Sequence, residues 1–221
     1  MGTIRLTAAQ AMVKWLSVQL TEEGERYIDG MWAIFGHGNV AGIGEALHAY
    51  RDVFPTWRGQ NEQTMAHAAI AYAKGKKRTR AMAVTSSIGP GSTNVVTAAA
   101  LAHVNRLPLL IVAGDVFANR KPDPVLQQVE DFDDGTISAN DCFKPVSRYF
   151  DRITRPEHLL SALPRALRVM TDPANCGPAT IAFCQDVQAE AYDWPEEFFE
   201  PRVWYIRRPA PDAGELARVA E

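Results

Sequence analysis

The chain has 221 residues, of which 47% are hydrophobic and 22% charged, a composition typical of a folded domain and unlike disordered, collagen or coiled-coil chains. The 23 basic and 26 acidic residues give a net charge of -3, so bulk charge provides no reason to expect a nucleic acid or an anionic membrane as partner. Three features favour a cytoplasmic location. The three cysteines are scattered and form no C-x-x-C pair, no apolar run approaches the roughly 20 residues of a membrane span, and no signal-peptide pattern is present.

Helical and buried-strand patterns alternate through the first half of the chain. Thr7 and Gln10 form a capping-box pattern, and apolar residues at helical spacing then predict a helix over residues 8–22. The continuous apolar run 31–35 is typical of a strand buried on both faces of a parallel sheet. The pattern continues with a short helix over 43–50, an extended segment at 56–58 and a helix over 62–74 that ends at Gly75.

The second half of the chain repeats this alternation. Strands are predicted over 81–85, 109–113, 147–150 and 179–183, and helices over 95–104 and 156–171. Because strands and helices alternate throughout, we predict an α/β fold with a doubly wound, mainly parallel sheet and helices on both of its faces.

The composition of the sequence changes after these alternating strands and helices. Residues 187–211 are rich in proline, carboxylates and aromatic side chains and have no helical or strand period, so we expect a linker there. A new helical pattern begins at Asp212. We therefore expect one domain over 1–186, a linker over 187–211 and the truncated start of a following domain over 212–221, which makes the chain an N-terminal piece of a larger protein.

Two loops at predicted strand ends are candidates for binding, because ligands of open parallel sheets bind beyond the carboxyl ends of the strands. Gly36, His37 and Gly38 begin a loose G-x-G-x-x-G/A dinucleotide pattern, but the next strand does not end on the acidic residue that would hold a ribose, so a glycine-rich packing turn is the alternative. Residues 87–94 open a helix with small side chains that suit an anion or a flat polar ring, yet they lack the lysine of a P-loop.

Glu62 follows a strand end and begins a helix. Taken alone, this position is more typical of a structural helix terminus than of a catalytic carboxylate.

Together these loops occur in an order that resembles a known family. The matching segments are residues 36–39, 61–62, 87–94, 107–115 and 126–128. In this order they resemble the pyrimidine-binding domain of thiamine-diphosphate-dependent enzymes related to acetolactate synthase, over about residues 5–190. The most specific component is the glutamate-led helix followed by the Gly-Pro-Gly-x-Thr-Asn turn.

Departures from the synthase pattern narrow the resemblance. Synthases usually carry Pro-Gly-Gly after the first strand and His-Glu at the catalytic helix, whereas this chain has Gly-His-Gly at 36–38 and Asn-Glu at 61–62. These segments look like the hydrolase branch of the family, which opens a polyol-derived cyclic dione in inositol catabolism. A synthase-like lyase or carboligase acting on a 2-keto acid, a nicotinamide-dinucleotide-binding dehydrogenase and a non-catalytic interaction module are the alternatives.

The resemblance implies roles for particular residues. Glu62 matches the glutamate that hydrogen-bonds the cofactor's aminopyrimidine, and His37 matches a position that can donate to a substrate oxygen. Other expected contacts with the cofactor come from Gly36, Gly38, Gly89, Pro90, Gly91 and Asn94. A glutamine that reaches the site in relatives matches either Gln127 or Gln128, and the sequence leaves both open.

The resemblance also implies what this chain lacks. Family members hold the diphosphate through Mg²⁺ at a Gly-Asp-Gly segment in a C-terminal domain, and no such segment occurs among these residues, so we expect no metal ligands here and no activity from this piece alone. The sites of relatives form between subunits, which implies a homodimer or higher homo-oligomer.

Overall fold

The structure, a computed structural model, describes residues 2–221. Its strands are β1 (Thr3–Thr7), β2 (Gln19–Leu20), β3 (Ile28–Ile34), β4 (Thr56–Trp57), β5 (Ala81–Ser86), β6 (Leu109–Asp115), β7 (Tyr149–Ile153), β8 (Pro178–Cys184), β9 (Ala191–Pro195) and β10 (Arg202–Val203). Its α-helices are α1 (Ala8–Ser17), α2 (Gly36–Asn39), α3 (Glu45–Ala49), α4 (Glu62–Gly75), α5 (Pro90–Thr93), α6 (Val96–Val104), α7 (Leu159–Thr171), α8 (Gln185–Ala189) and α9 (Ala213–Ala220).

Six of these strands form one parallel sheet in the order β4-β3-β5-β6-β8-β7. Every residue of β5, β6 and β8 is buried, as expected for apolar strands covered on both faces. This confirms the predicted α/β fold with a mainly parallel sheet. The chain passes from β3 to β4 at one edge of the sheet and then to β5 on the other side of β3. The direction in which strands are added therefore reverses between β3 and β5. Parallel sheets form a crevice at the carboxyl ends of the strands where this reversal occurs.

Helices cover the sheet on both faces. One core contains Met12 and Leu16 of α1 together with Leu163 and Leu167 of α7. The second core contains alanines of α4 and α6 such as Ala69, whose small side chains allow the helices to lie close to the sheet. The site-bearing turns at the carboxyl ends of the strands are thereby held on a rigid scaffold.

Several helix boundaries differ from the sequence prediction, including that of α7, which begins at Leu159 instead of residue 156. Helix α1 begins after Thr7 with both hydrogen bonds of the capping box, at 3.2 Å and 3.0 Å, but it ends at Ser17 because Gln19 and Leu20 form a strand paired with β10. The predicted helix over 43–50 begins earlier, since α2 and a π-helical turn over Val40–Gly44 lead directly into α3.

Residues 191–204, within the predicted linker, pack against the domain. Strand β9 pairs antiparallel with β1, and the buried Trp194 donates its indole N–H to the carbonyl of Leu6 at 3.0 Å. Trp204 donates to Gln19 Oε1 at 3.0 Å. The domain boundary at residue 186 stays a prediction, as does the assignment of 212–221, where α9 has no buried residue.

Across residues 2–221, none of the helices has both the length and the apolar character that crossing a membrane requires.

Candidate active site

The turns after β3 and β5 meet in the crevice where the strand order reverses. Gly36 has a φ of +55°, a conformation that favours glycine. A Cβ at Gly36 would overlap the side chain of Ser87, which directly follows β5. Because residue 36 has no side chain, the two turns can lie against each other. No side chain at this position fills the crevice.

Glu62 and Asn94 are joined across this edge of the sheet. Asn61 caps helix α4 by accepting a hydrogen bond from the Thr64 N–H at 3.1 Å, which places Glu62 in the first turn. Asn94 Nδ2 donates to Glu62 Oε2 at 2.8 Å. Within residues 2–221, no donor contacts Glu62 Oε1, and a Cβ at Gly91 would lie 3.6 Å from it. Asn94 therefore holds one carboxylate oxygen of Glu62, and the other oxygen remains available to hydrogen-bond a ligand.

An open cleft of about 460 Å³ borders Glu62. Its walls come from the end of β3 and the segment that follows β4, namely Ile34, Arg58, Gly59 and Gln60. The half-buried carboxylate of Glu62 thus faces a space large enough for a planar ring.

The turn after β5 also contacts the segment that contains the two glutamines. Gly89 has a φ of +57°, and a Cβ there would overlap the carbonyl oxygen of Gln127. Gln128 uses its side chain within its own loop, accepting from the Val125 N–H at 3.0 Å and donating to Asp123 Oδ1 at 2.9 Å. The Gln127 side chain is exposed, so it is the freer of the two amides, and the choice between them stays a prediction.

His37 and Gly38 lie on α2, beside the crevice. His37 is exposed, whereas Asn39 two residues later is fully buried. Asn39 Nδ2 donates to the carbonyl of Ser86 at 2.6 Å, and Asn39 Oδ1 accepts from Gln188 Nε2 at 2.9 Å. The short helix that carries His37 is therefore anchored to the end of β5 and to Gln188 of α8.

A buried ion cluster at the end of β6 was not predicted from the sequence. Asp115 accepts from Ser138 Oγ at 2.7 Å and from Arg152 Nε at 2.8 Å, and Arg152 Nη2 also donates to Asp141 Oδ1 at 2.7 Å. These contacts tether both ends of the long loop that carries Gln127. An aspartate that ends an apolar strand was the available sequence signal, but its partners lie 23 and 37 residues away.

Within residues 2–221, neither the buried thiols nor a group of acidic side chains forms a second reactive centre. Burial raises the pKa of Cys176 to about 11 and raises the pKa of Cys184 well above its usual range, so both thiols stay protonated and unreactive at neutral pH. Over the described part of the chain, 2–221, no three His, Cys, Asp or Glu side chains are grouped as metal ligands.

Comparisons with known proteins agree with this geometry. Residues 26–134 match the family described as thiamine pyrophosphate enzyme, N-terminal TPP binding domain. The chain is 52% identical over 221 residues to a 3D-(3,5/4)-trihydroxycyclohexane-1,2-dione hydrolase of Listeria monocytogenes serovar 1/2a, covering 99% of this chain and 35% of that protein. It is 54% identical over 214 residues to the protein of the same name in Geobacillus thermodenitrificans, covering 96% of this chain and 34% of that protein.

The chain thus spans about a third of the length of the curated relatives it matches. The family match includes the turns after β3 and β5, Glu62 and Asn94, which are the features that form the crevice. Residues 26–134 of this chain are thus similar to the thiamine pyrophosphate enzyme N-terminal TPP binding domain.

Proposed function

We propose that this chain supplies the pyrimidine-binding half of a thiamine-diphosphate site in an enzyme that hydrolyses a carbon–carbon bond of trihydroxycyclohexane-1,2-dione. The product would be a 5-deoxyuronic acid formed in inositol catabolism. Relatives with about 52% identity over nearly the whole chain carry the name of this hydrolase, and they support the choice of substrate. The observation that carries the proposal is the Glu62 carboxylate, which borders the cleft and has one oxygen held by Asn94 and the other without a donor among residues 2–221.

The residues present fit an aminopyrimidine ring. A flat ring needs a surface without bulky side chains, and we assign it to the turns that carry Gly36, Gly89 and Gly91, where an added Cβ would overlap Ser87 or Gln127 and push these turns apart. Pro90 is exposed on the same turn. The ring also needs a hydrogen-bonding group that can exchange a proton, and Glu62 Oε1 provides one in this crevice.

Each residue then has a separate task. Thiamine diphosphate, when bound, supplies an electron-accepting thiazolium that makes cleavage beside a ketone possible. Glu62 Oε1 shares a proton with the ring, while Asn94 keeps the carboxylate oriented by holding Oε2. Exposed His37, on the turn after β3, donates to an oxygen of the dione in this proposal. Gln127 is the glutamine that we assign to the site, because the Gln128 amide is occupied in its own loop.

The rest of the active site lies outside these residues in this proposal. The chain contains no Gly-Asp-Gly segment, so we assign Mg²⁺ and the diphosphate to a C-terminal domain. Glu62 and its neighbours line only one side of an open cleft. A second subunit would therefore complete the site in a homodimer or larger homo-oligomer. We place the enzyme in the cytoplasm, since its thiols are free and its charge suits neither a nucleic acid nor an anionic membrane.

The test uses the complete protein with thiamine diphosphate and Mg²⁺, and follows both opening of the dione and carboligation of pyruvate. We expect ring opening with little carboligation. Carboligation without ring opening would replace this proposal with the synthase alternative. In calorimetry, chain 1–221 alone should bind thiamine diphosphate and Mg²⁺ weakly and should not open the ring, whereas tight binding by this chain would show that the site has been misplaced.

A further inference from the structure

The open cleft beside Glu62 also contains a cation that the proposed function leaves without a task. The residues that line the cleft are Ile34, Arg58, Gly59, Gln60 and Glu62, and Arg58 is the one cation among them. Its side chain is exposed, and no carboxylate of residues 2–221, Glu62 included, forms an ion pair with it. The cleft therefore presents a carboxylate and a guanidinium that do not pair with each other.

The backbone on both sides of Arg58 is fixed. Trp57 of β4 pairs with Trp32 of β3. Gly59 lies against the buried Met65 of α4, because a Cβ at residue 59 would overlap the Met65 side chain. Arg58 is thus held between the edge strand and the helix that begins at the cleft, and a position fixed before binding lowers the entropy cost of holding a ligand.

The charges of the cleft limit the kind of ligand that Arg58 can bind. A guanidinium has five N–H donors in a planar fork, which matches the two oxygens of a carboxylate. The ionised form of Glu62 repels an anion, so a carboxylate bound in this cleft would lie on the Arg58 side. The volume of about 460 Å³ falls within the roughly 300–1,000 Å³ of small-molecule sites, so there is space beside an aromatic ring.

We propose that Arg58 binds the carboxylate of the ring-opened product. The assignment rests on the proposed function and deepens it. Hydrolysis adds one water across the cleaved carbon–carbon bond, so that one of the two carbons becomes an aldehyde and the other a carboxylic acid, which ionises at neutral pH. The dione is uncharged and its product is an anion, so Arg58 distinguishes the product from the substrate. A 2-keto acid carries the same group, and the experiment separates these two sources of a carboxylate.

The experiment compares Arg58→Gln, Arg58→Lys and the matched control Arg168→Gln in the complete protein with thiamine diphosphate and Mg²⁺. Arg168 is an exposed arginine of α7 that has no ion pair among residues 2–221. The inhibition constant of the 5-deoxyuronic acid is measured together with that of a neutral analogue in which CH₂OH replaces the carboxylate. Hydrogen–deuterium exchange at C2 of the cofactor and the unfolding temperature are measured alongside.

For Arg58→Gln we expect the inhibition constant of the acid to rise about tenfold, whereas that of the neutral analogue stays at the wild-type value. Arg58→Lys, which keeps the charge but loses the planar fork, should lie between the two. Arg168→Gln should match the wild-type protein for both compounds. The unfolding temperature and C2 exchange of Arg58→Gln should stay near the wild-type values.

Three results would overturn the assignment. An unchanged inhibition constant of the acid in Arg58→Gln would show that the guanidinium does not contact the carboxylate. Equal losses for the acid and its neutral analogue would show that Arg58 does not recognise charge, and a lower unfolding temperature with slower C2 exchange would make it structural.

Failure of the proposed function is distinguished by the wild-type protein alone. If that protein joins pyruvate without opening the dione, the proposed substrate is wrong and the KM for pyruvate becomes the measurement. A rise of about tenfold in Arg58→Gln would then keep Arg58 as a carboxylate-binding residue, and an unchanged KM would overturn the assignment as well.

Discussion

Asn94 Nδ2 donates a hydrogen bond of 2.8 Å to Glu62 Oε2, and so links the turn after β5 to the first turn of α4. The two residues lie 32 positions apart in the chain. Their contact holds the Glu62 carboxylate in one orientation, which makes Asn94 a positioning residue for the proposed proton transfer.

Replacing Asn94 by alanine should therefore slow C2 exchange of bound thiamine diphosphate. A hydrogen bond to a charged group is worth about 1.5–3 kcal/mol when buried; since Glu62 is half-buried, we expect about a tenfold loss, with the unfolding temperature nearly unchanged. Asn105→Ala is the matched control, because Asn105 is exposed and donates only to the Leu101 carbonyl. Equal exchange rates in the two variants would refute the positioning role.

Gly36→Ala should destabilise the fold and weaken cofactor binding. Alanine at a φ of +55° costs roughly 1–2 kcal/mol, and its Cβ would also overlap Ser87. For a domain of this size we expect the unfolding temperature to fall by about 2–8 °C. Gly75→Ala serves as the control, since Gly75 ends α4 with no atom within 4 Å of an added Cβ. Similar unfolding temperatures for the two variants would contradict the close approach of the turns.

The order of elements and the start of α4 could be predicted from the sequence, because they depend on local signals. The Thr7 capping box marks the start of α1, and continuous apolar runs mark the buried strands. Pairing of β1 with β9 could not be predicted in this way, since Leu6 and Trp194 lie 188 positions apart and no local pattern specifies such a partner. The polar alternation of residues 3–7 was the available signal for a strand.

The same reasoning applies to the site. Glu62 and the glycines follow from residue order and from the family resemblance, whereas the contacts of Asn39, Asn94 and Gln188 depend on how distant strand ends meet. No spacing in the sequence distinguishes Arg58, which lines the cleft, from another exposed arginine such as Arg168.

The ion cluster at the end of β6 should make stability depend on acid pH. Burial raises the pKa of Asp141, but the N–H of Ser138 and the cations of Lys144 and Arg152 outweigh that effect, so the pKa lies below its ordinary value. A carboxyl with a lowered pKa in the folded state stabilises the protein above its unfolded value of about 3.9, and that contribution is lost as pH falls through the folded value.

Thermal unfolding between pH 7 and pH 2 measures this dependence. Asp141→Asn should lower the unfolding temperature at pH 7 and reduce the fall in stability below about pH 4. The exposed Asp52, which has no ion pair among residues 2–221, provides the control variant Asp52→Asn. The prediction is wrong if Asp141→Asn has the same acid profile as the wild-type protein.

His37→Ala should affect the dione more than the cofactor. The His37 side chain is exposed on α2, and Asn39 anchors that helix. Removing the imidazole should therefore leave C2 exchange near the wild-type rate. The kcat/KM for ring opening should fall at least about tenfold. His48→Ala, at an exposed histidine of α3, should leave both quantities unchanged. Equal losses in both quantities for His37→Ala would place His37 in cofactor positioning.

The most direct test of the central claim, that Glu62 activates thiamine diphosphate, is C2 hydrogen–deuterium exchange in the complete protein with Glu62→Gln. The amide keeps the size of the side chain but cannot exchange the required proton, so exchange should slow by about a hundredfold or more while the unfolding temperature stays near that of the wild type. Glu45→Gln, at the exposed glutamate that begins α3, should exchange at the wild-type rate. Exchange in Glu62→Gln as fast as in the wild-type protein would contradict the account.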